Sequence, residues 1–397
     1  MDPVKYLIIG GGMVADSAAR GIRELDEDGS IVVLSADVDE PYTRPALTKK
    51  LWTDEEFTWD KVPLGTAEAT GADVRLSTEV TAIDRAARTV TTADGETVAY
   101  ERLLIATGGT PHSLEGETDD RVITFRSAQD YHALRKRSGA GVRAVVVGGG
   151  YIGQELAAAL IQNETEVTIV TPDETLGGSM FPADLAHHVE DRFRAAGVTV
   201  RSGRRVETVE LDDHTVTLRL DDGTSIDANV VVTGLGVTPV TGIAEAAGLM
   251  VDDGIVVDER LRTTDEHIWA AGDVASYPDA ILGRTRVEHV DNAEQMGRAA
   301  GRSLAGADEP YTHTPLFYSD VFEFSWEAVG TLDAELETVE DWTEELESGV
   351  IYYLDEGRPA GVLLWRTDGG TDEAREVLAN PPADPAELIG RIRPGVA

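Results

Sequence analysis

Cysteine is absent from the 397-residue chain. Disulfides, thiolate metal sites and iron–sulfur clusters held by the chain itself are therefore excluded, as is any mechanism that carries electrons through a redox-active thiol pair. Basic residues are scarce: 34 Lys and Arg face 73 Asp and Glu, a formal net charge of −39, and only five of the bases are lysines. Such a surface repels phosphate backbones, which argues against nucleic acid as a partner. It also repels itself in dilute buffer, whereas at about 1 M salt the Debye length shrinks to roughly 3 Å and the hydrated carboxylates keep the chain soluble. The profile reads as that of a protein from a salt-loaded, halophilic cytoplasm; an ordinary acidic enzyme is the competing reading. Long apolar runs are missing too, none approaching the roughly 20 residues that span a bilayer. The chain begins MDPVKYLIIGGG, entering an apolar strand with no basic leader, so a cytoplasmic protein without a membrane span is expected. No metal site is expected.

What is present is a duplication. Residues 4–12 and 142–150 each run from a short aliphatic stretch (Val4 to Ile9, Val142 to Val147) into three glycines. Helical spacing follows, with Val14, Ala18, Ala19, Ile22 and Leu25 in one copy and Ile152, Leu156, Ala159 and Leu160 in the other. A second strand closes each copy, at Ile31 to Leu34 and Val167 to Val170. Strand, tight turn, helix and strand make a phosphate cradle, whose glycines let a pyrophosphate approach the helix N-terminus with no side chain in the way. The first reads Gly10-x-Gly12-x-x-Ala15 and the second Gly148-x-Gly150-x-x-Gly153; each is followed by an acid, Asp37 or Asp173, able to bind a ribose. Two cradles predict two dinucleotides and a hydride passing between them. At 397 residues the chain also exceeds what one core organises.

Further segments carry a family resemblance: DEPYTRPALTKKL (39–51), ERLLIATGGTP (101–111), TTDEHIWAAGDVA (263–275) and the aromatic-rich YTHTPLFYSDVFEFSWEAVG (311–330). Over essentially its whole length the chain resembles the two-dinucleotide-domain flavoprotein reductases, the ferredoxin, rubredoxin and putidaredoxin reductase group together with apoptosis-inducing factor. The resemblance implies an α/β fold of two Rossmann-like dinucleotide-binding domains plus a C-terminal α+β domain. FAD would lie in a discontinuous domain (1–112 and 241–309), NAD(H) in 113–240, and 310–397 would form the interface domain.

The same resemblance assigns residues. Arg44 and Lys49 would lie beside the flavin and its phosphates, Ala106-Thr107-Gly108 at the crossover near it, and Asp273 after Gly272 on a ribityl hydroxyl. Val80, Glu288, His289 and Val290 would also face FAD, with the helix opening at about Asn292 aimed at the flavin. Tyr318 would bring an aromatic toward it. Glu155 would pair with Lys49, and Tyr151, Ile152 and Gly234 would join the second cradle at the nicotinamide cofactor. Lys49, Glu155 and His289 are the implied catalytic residues. Read from the residues alone, alternatives stand beside these roles: Lys49 as a surface lysine next to Lys50, Glu155 as a charge favoured at a helix start, Asp273 as an N-cap, and Tyr151 and Tyr318 as packing aromatics. Between Thr171 and Thr175 no base is available for a 2′-phosphate while Asp173 and Glu174 oppose one, so NADH is favoured over NADPH. Many relatives place that acid at the strand end, here Thr171; the apoptosis-inducing factor pattern, with proline before the acid, puts it at Asp173.

Two functions follow. One is an NADH-dependent FAD oxidoreductase feeding a small iron–sulfur or other one-electron carrier, such as a ferredoxin or rubredoxin, as a monomer or homodimer. The other is an apoptosis-inducing-factor-like NADH sensor with slow turnover, which the Glu288-His289 pair favours.

Overall fold

Both duplicated units form the strand, turn, helix and strand that were read, each in its own parallel sheet, but the second opens at Arg143 rather than Val142. Leu25 is exposed because the first helix has already ended at Arg23, and Ile152 is exposed in the first turn of the second helix rather than on its apolar face. The computed structural model describes residues 3–393 and 395–396. Met1, Asp2, Pro394 and Ala397, at the outer ends of the expected 1–112 and 310–397 segments, lie outside the described residues. The chain divides into two units, one of residues 1–44, 59–110 and 238–316, the other of residues 45–58, 111–237 and 317–397.

In the first unit the strand Val4–Ile9 lies between Ile31–Leu34 and Thr97–Ile105, parallel to both, with Asp73–Arg75 outside. Ile268–Ala270 pairs with the far side of Thr97–Ile105, in parallel. Ile31–Leu34 is wholly aliphatic and buried, whereas Val4–Ile9 and Thr97–Ile105 are so only at their carboxyl ends, Leu7 to Ile9 and Leu103 to Ile105, where both faces are covered. The helix Met13–Arg23 buries Val14, Ala15, Ala18, Ala19 and Ile22, one face of a 3.6-residue period, against the helix Val290–Leu304. Small residues set that crossing: a Cβ on Gly301 would stand 2.0 Å from Ala18 O, and one on Gly21 2.3 Å from Arg298 O. The longer helix starts at Val290, two residues before its expected start, because His289 is still extended (φ −114°, ψ 152°) and the turn winds directly after it.

The second unit repeats the plan with five parallel strands in the order Thr199–Arg201, Glu166–Val170, Arg143–Val147, Val230–Thr233, Val122–Thr124. In both units the chain runs one way from the glycine-bearing strand and returns on its other side. Each cradle therefore opens at the carboxyl end of a strand where the order reverses, which is where open α/β sheets bind ligands. The same unit carries the antiparallel strands Val206–Leu211, Val216–Leu220 and Ser225–Ala228, and a C-terminal five-stranded antiparallel sheet. Within that sheet Ser348–Asp355 and Arg358–Trp365 meet at a two-residue turn, where Glu356 and Gly357 both have positive φ (48° and 78°), the geometry that continues the strand twist.

Residues 45–58 group with this second unit. Trp52 donates its indole N–H to Leu47 O at 2.7 Å and stands edge-on to Tyr131 at 5.5 Å, while the Tyr131 hydroxyl donates to Leu51 O.

Candidate functional site

The two cradles match position by position. Gly10 and Gly148 take positive φ (113° and 117°), and a Cβ there would collide with the next strand's end, 2.1 Å from Ala106 O in one and 2.3 Å from Gly234 O in the other. A Cβ on Gly11 would meet Ser35 Oγ at 2.1 Å, and one on Gly149 would meet Thr171 Oγ1 at 2.3 Å. Only the third glycine differs in kind: a Cβ on Gly12 or Gly150 would find no protein atom within 4 Å. Both are helix N-caps, and neither helix has a side-chain cap. Backbone donors at a helix start, facing open space that a side chain would intrude on, suit a pyrophosphate, so FAD and a nicotinamide dinucleotide fit the residues present. Ala15 is fully buried where the second copy needs Gly153, whose Cβ would stand 1.9 Å from Gly148 O. Ile152, beside that cradle, is an exposed apolar side chain.

Neither of the acids expected at a ribose, Asp37 and Asp173, stands at its strand end. Ser35 and Thr171 hold those places, both buried, and each accepts the N–H of the acid two residues on (Asp37 at 3.2 Å, Asp173 at 3.3 Å). Both acids are half-buried. The Asp173 carboxylate also accepts the Ser179 hydroxyl at 2.9 Å.

Within the second unit, Lys49 and Glu155 form a buried pair with Nζ to Oε1 at 2.5 Å and side chains 14% and 5% exposed. The Thr48 hydroxyl donates to Glu155 Oε2 and the Ser319 hydroxyl to Oε1, both at 2.6 Å. Three donors offset the cost of burying the carboxylate. Lys49 lies over the Tyr318 ring at 5.0 Å and 3.7 Å from the exposed Asp320. Lys49 is thus no surface lysine, and Glu155 is no solvated charge at a helix start. Tyr151 packs against Phe317 and Trp326 with centroids 5.6 and 5.2 Å apart, and burial pushes its hydroxyl far above the ordinary tyrosine range.

The first unit holds the remaining positions. Arg44 lies over the Tyr42 ring at 5.3 Å, and Val80 is buried at the start of its strand. The Thr107 hydroxyl donates to Val240 O at 2.8 Å, and Val240 N–H donates back to Gly108 O, pinning the Ala106-Thr107-Gly108 turn. Gly272 approaches the first cradle helix so closely that a Cβ would stand 2.4 Å from Val14 Cγ2. Asp273 sits in the turn between Ile268–Ala270 and Ala275–Asp279 and caps no helix, so the N-cap alternative does not describe it. Glu288 pairs with Arg286.

His289 precedes Val290 at the N-cap of its helix. Burial, opposed by the nearby Asp273 and Asp291 carboxylates, pulls its imidazole from 6.5 down to about 4. The unfolded chain therefore binds more protons than the folded one between those values, and this stability is full above pH 6.5 and lost as pH falls toward 4. Its ceiling is about 3 kcal/mol, reduced by solvent because the side chain is only half-buried. Urea midpoints from pH 7 to 4 are expected to fall more steeply in the wild type than in His289→Gln.

Thr48, Ser319 and Asp320 were not among the expected site residues, and neither were Ser35 and Thr171. The Thr-Lys and Tyr-Ser-Asp sequences that flank Lys49 and Tyr318 were the available signal for the first three.

Comparison with known proteins agrees with this geometry. Residues 4–297 match the family model described as pyridine nucleotide-disulphide oxidoreductase, and residues 300–348 match the apoptosis-inducing factor, mitochondrion-associated, C-terminal model. The chain is 34% identical to the anthranilate 1,2-dioxygenase system ferredoxin–NAD(+) reductase component of Burkholderia cepacia, over 84% of each chain. It is 32% identical to the peroxisomal monodehydroascorbate reductase 2 of Oryza sativa subsp. japonica, over 97% of this chain and 86% of that one. Among solved structures, the covalent putidaredoxin reductase–putidaredoxin complex superposes with a TM-score of 0.89 at 28% identity, over 97% of this chain and 95% of that one. Among the described residues no helix is long and apolar enough to cross a membrane. The chain belongs to the pyridine nucleotide-disulphide oxidoreductase family, the NAD(P)H-dependent flavin oxidoreductases.

Proposed function

We propose that the chain is an NADH-dependent reductase of a small one-electron carrier of the ferredoxin or rubredoxin kind, active in a salt-rich cytoplasm as a monomer or homodimer. The observation that carries this reading is the pair of matched cradles, each with open space in front of its third glycine at a helix start. FAD would supply the chemistry, accepting a hydride from NADH and releasing its electrons singly.

The chain's own residues bind and orient. Gly10, Gly12, Ala15, Asp37 and Asp273 hold the flavin dinucleotide, and Val80, Arg44, Ala106, Thr107, Gly108, Gly272, Glu288, His289 and Val290 line its site. Gly148, Gly150, Tyr151, Ile152, Gly153, Asp173 and Gly234 hold NADH. Lys49, fixed by Glu155 and laid over Tyr318, supplies a localised cation where electron density accumulates. The domain limits of this reading are 1–112 with 241–309 for FAD, 113–240 for NADH and 310–397 for the interface domain. The missing thiols leave no disulfide chemistry, and the B. cepacia and putidaredoxin relatives support an iron–sulfur acceptor.

Anaerobic mixing of the yellow holoprotein with NADH in about 1 M KCl is expected to bleach the flavin within seconds, with rapid turnover of added ferredoxin. No bleaching within minutes rejects the reading. The match at 300–348 favours a second one, an NADH sensor of the apoptosis-inducing-factor type. Slow bleaching together with an NADH-dependent change in oligomeric state would select it.

A further inference from the structure

The loop after the strand Thr199–Arg201 is tied to the loop of the second ribose acid. Gly203 N–H donates to Asp173 O at 2.7 Å and Arg204 N–H to Thr171 O at 2.9 Å. A side chain on Gly203 would meet Glu174, its Cβ 3.5 Å from Oε2, so the glycine lets the two loops run close together. Arg201 ends its strand in register with Val170, the last strand residue before the acid loop. A cleft of about 360 Å³ results, with Glu174, Arg194, Arg201, Ser202, Arg204 and Asp222 in its walls. That is space for a phosphate together with several waters of about 30 Å³ each.

The charges of this cleft are unequally committed. Arg194 is held by Glu190 at 2.6 Å; Arg204 is held by Asp222 at 2.8 Å and donates to Gly203 O at 2.6 Å. The exposed Arg201 guanidinium makes no ion pair or hydrogen bond among the described residues, although acids outnumber bases about two to one. The Glu174 carboxylate is likewise uncommitted among the described residues. One free guanidinium fork and one free carboxylate thus line the same cleft, the carboxylate on the residue that follows Asp173.

We propose that Arg201 is a specificity-determining residue that receives the 2′-phosphate of NADPH, so that the chain accepts NADPH as well as NADH, with Glu174 setting the balance against it. The inference rests on the reading of the second cradle as the nicotinamide coenzyme's site. A planar guanidinium meets phosphate oxygens through two parallel hydrogen bonds, which a lysine cannot reproduce. Asp173 and Glu174 alone would reject that phosphate, and nothing within the acid loop itself could offset them. The offset comes from the neighbouring strand.

The test measures kcat/KM for flavin reduction by each coenzyme in the holoprotein and the calorimetric affinity for adenosine 2′,5′-bisphosphate against 5′-AMP. Arg201→Ala is expected to lower the NADPH-to-NADH ratio of kcat/KM about tenfold, the loss of one charge-assisted contact. Arg201→Lys should fall between, and Glu174→Gln should raise the ratio. The wild type should bind the bisphosphate about tenfold more tightly than 5′-AMP, Arg201→Ala should lose that preference, and the NADPH KM should rise with salt more steeply than the NADH KM. An unchanged ratio in Arg201→Ala, or no preference for the bisphosphate in the wild type, overturns the inference. A preference that survives in a holoprotein reduced by neither coenzyme overturns the reductase reading and leaves this one standing.

Discussion

Gly12→Ala is expected to give a folded but colourless protein, and Gly150→Ala a yellow protein that NADH no longer bleaches. At both positions the backbone is extended (φ −93°, ψ −167° and φ −78°, ψ −170°), a conformation alanine adopts freely, and the added methyl touches no protein atom within 4 Å. Folding should be unharmed or favoured by a few tenths of a kcal/mol, because alanine narrows the unfolded ensemble. The methyl instead occupies the space in front of the helix start. A pyrophosphate pushed off those N–H groups forfeits charge-assisted hydrogen bonds of about 1.5–3 kcal/mol each, a loss of one to two orders of magnitude in affinity. Absorbance at the flavin band after gel filtration reads the first variant, and stopped-flow reduction reads the second. If Gly12→Ala stays yellow and Gly150→Ala loses its flavin, the two dinucleotides have been assigned to the wrong cradles.

Gly10→Ala supplies the contrast. It combines a φ of 113° with a Cβ 2.1 Å from a backbone carbonyl, so it should fail to fold rather than fail to bind.

Much of this was readable from the chain because it is local. A strand, three glycines and an amphipathic helix come one after another, so sequence spacing is spatial spacing; Val4–Ile9 and Ile31–Leu34 end where the apolar pattern ends. The support around Lys49 is different. Thr48 and Ser319 reach Glu155 across 107 and 164 residues, and a hydroxyl carries no periodicity that announces its partner. Asp273 as an N-cap and Asp273 in a turn between strands are identical on paper; the element after Val274 decides between them, and it is the strand Ala275–Asp279. Arg201 escaped for a related reason. The balance of charge at the second ribose looks wholly acidic over residues 171–175, and only the pairing of Thr199–Arg201 with Glu166–Val170 brings a base to the same wall.

Glu155→Ala should cost about 3 kcal/mol of stability, because it leaves the Lys49 ammonium, 14% exposed, with only the exposed Asp320 carboxylate at 3.7 Å, and takes the carboxylate acceptor from the buried Thr48 and Ser319 hydroxyls. The same variant should slow reduction by NADH about a hundredfold, the usual loss when a preorganised charge is removed from a reacting site. Stability and rate could fall together for trivial reasons, and a paired substitution separates them. Lys49→Met with Glu155→Gln removes both charges, keeps the volumes close, and leaves an amide oxygen to accept from one hydroxyl and an amide N–H to donate to the other. An ion pair exchanged for well-packed neutral groups is close to neutral in stability, so urea midpoints should return to within about 1–2 kcal/mol of the wild type. The rate should not return, because the cation over Tyr318 is gone. Recovery of both would make the pair a packing device and remove Lys49 from the chemistry. The stability difference should also persist in about 1 M KCl, where exposed ion pairs fade but a pair buried between Tyr318 and the first turns of its helix is little screened.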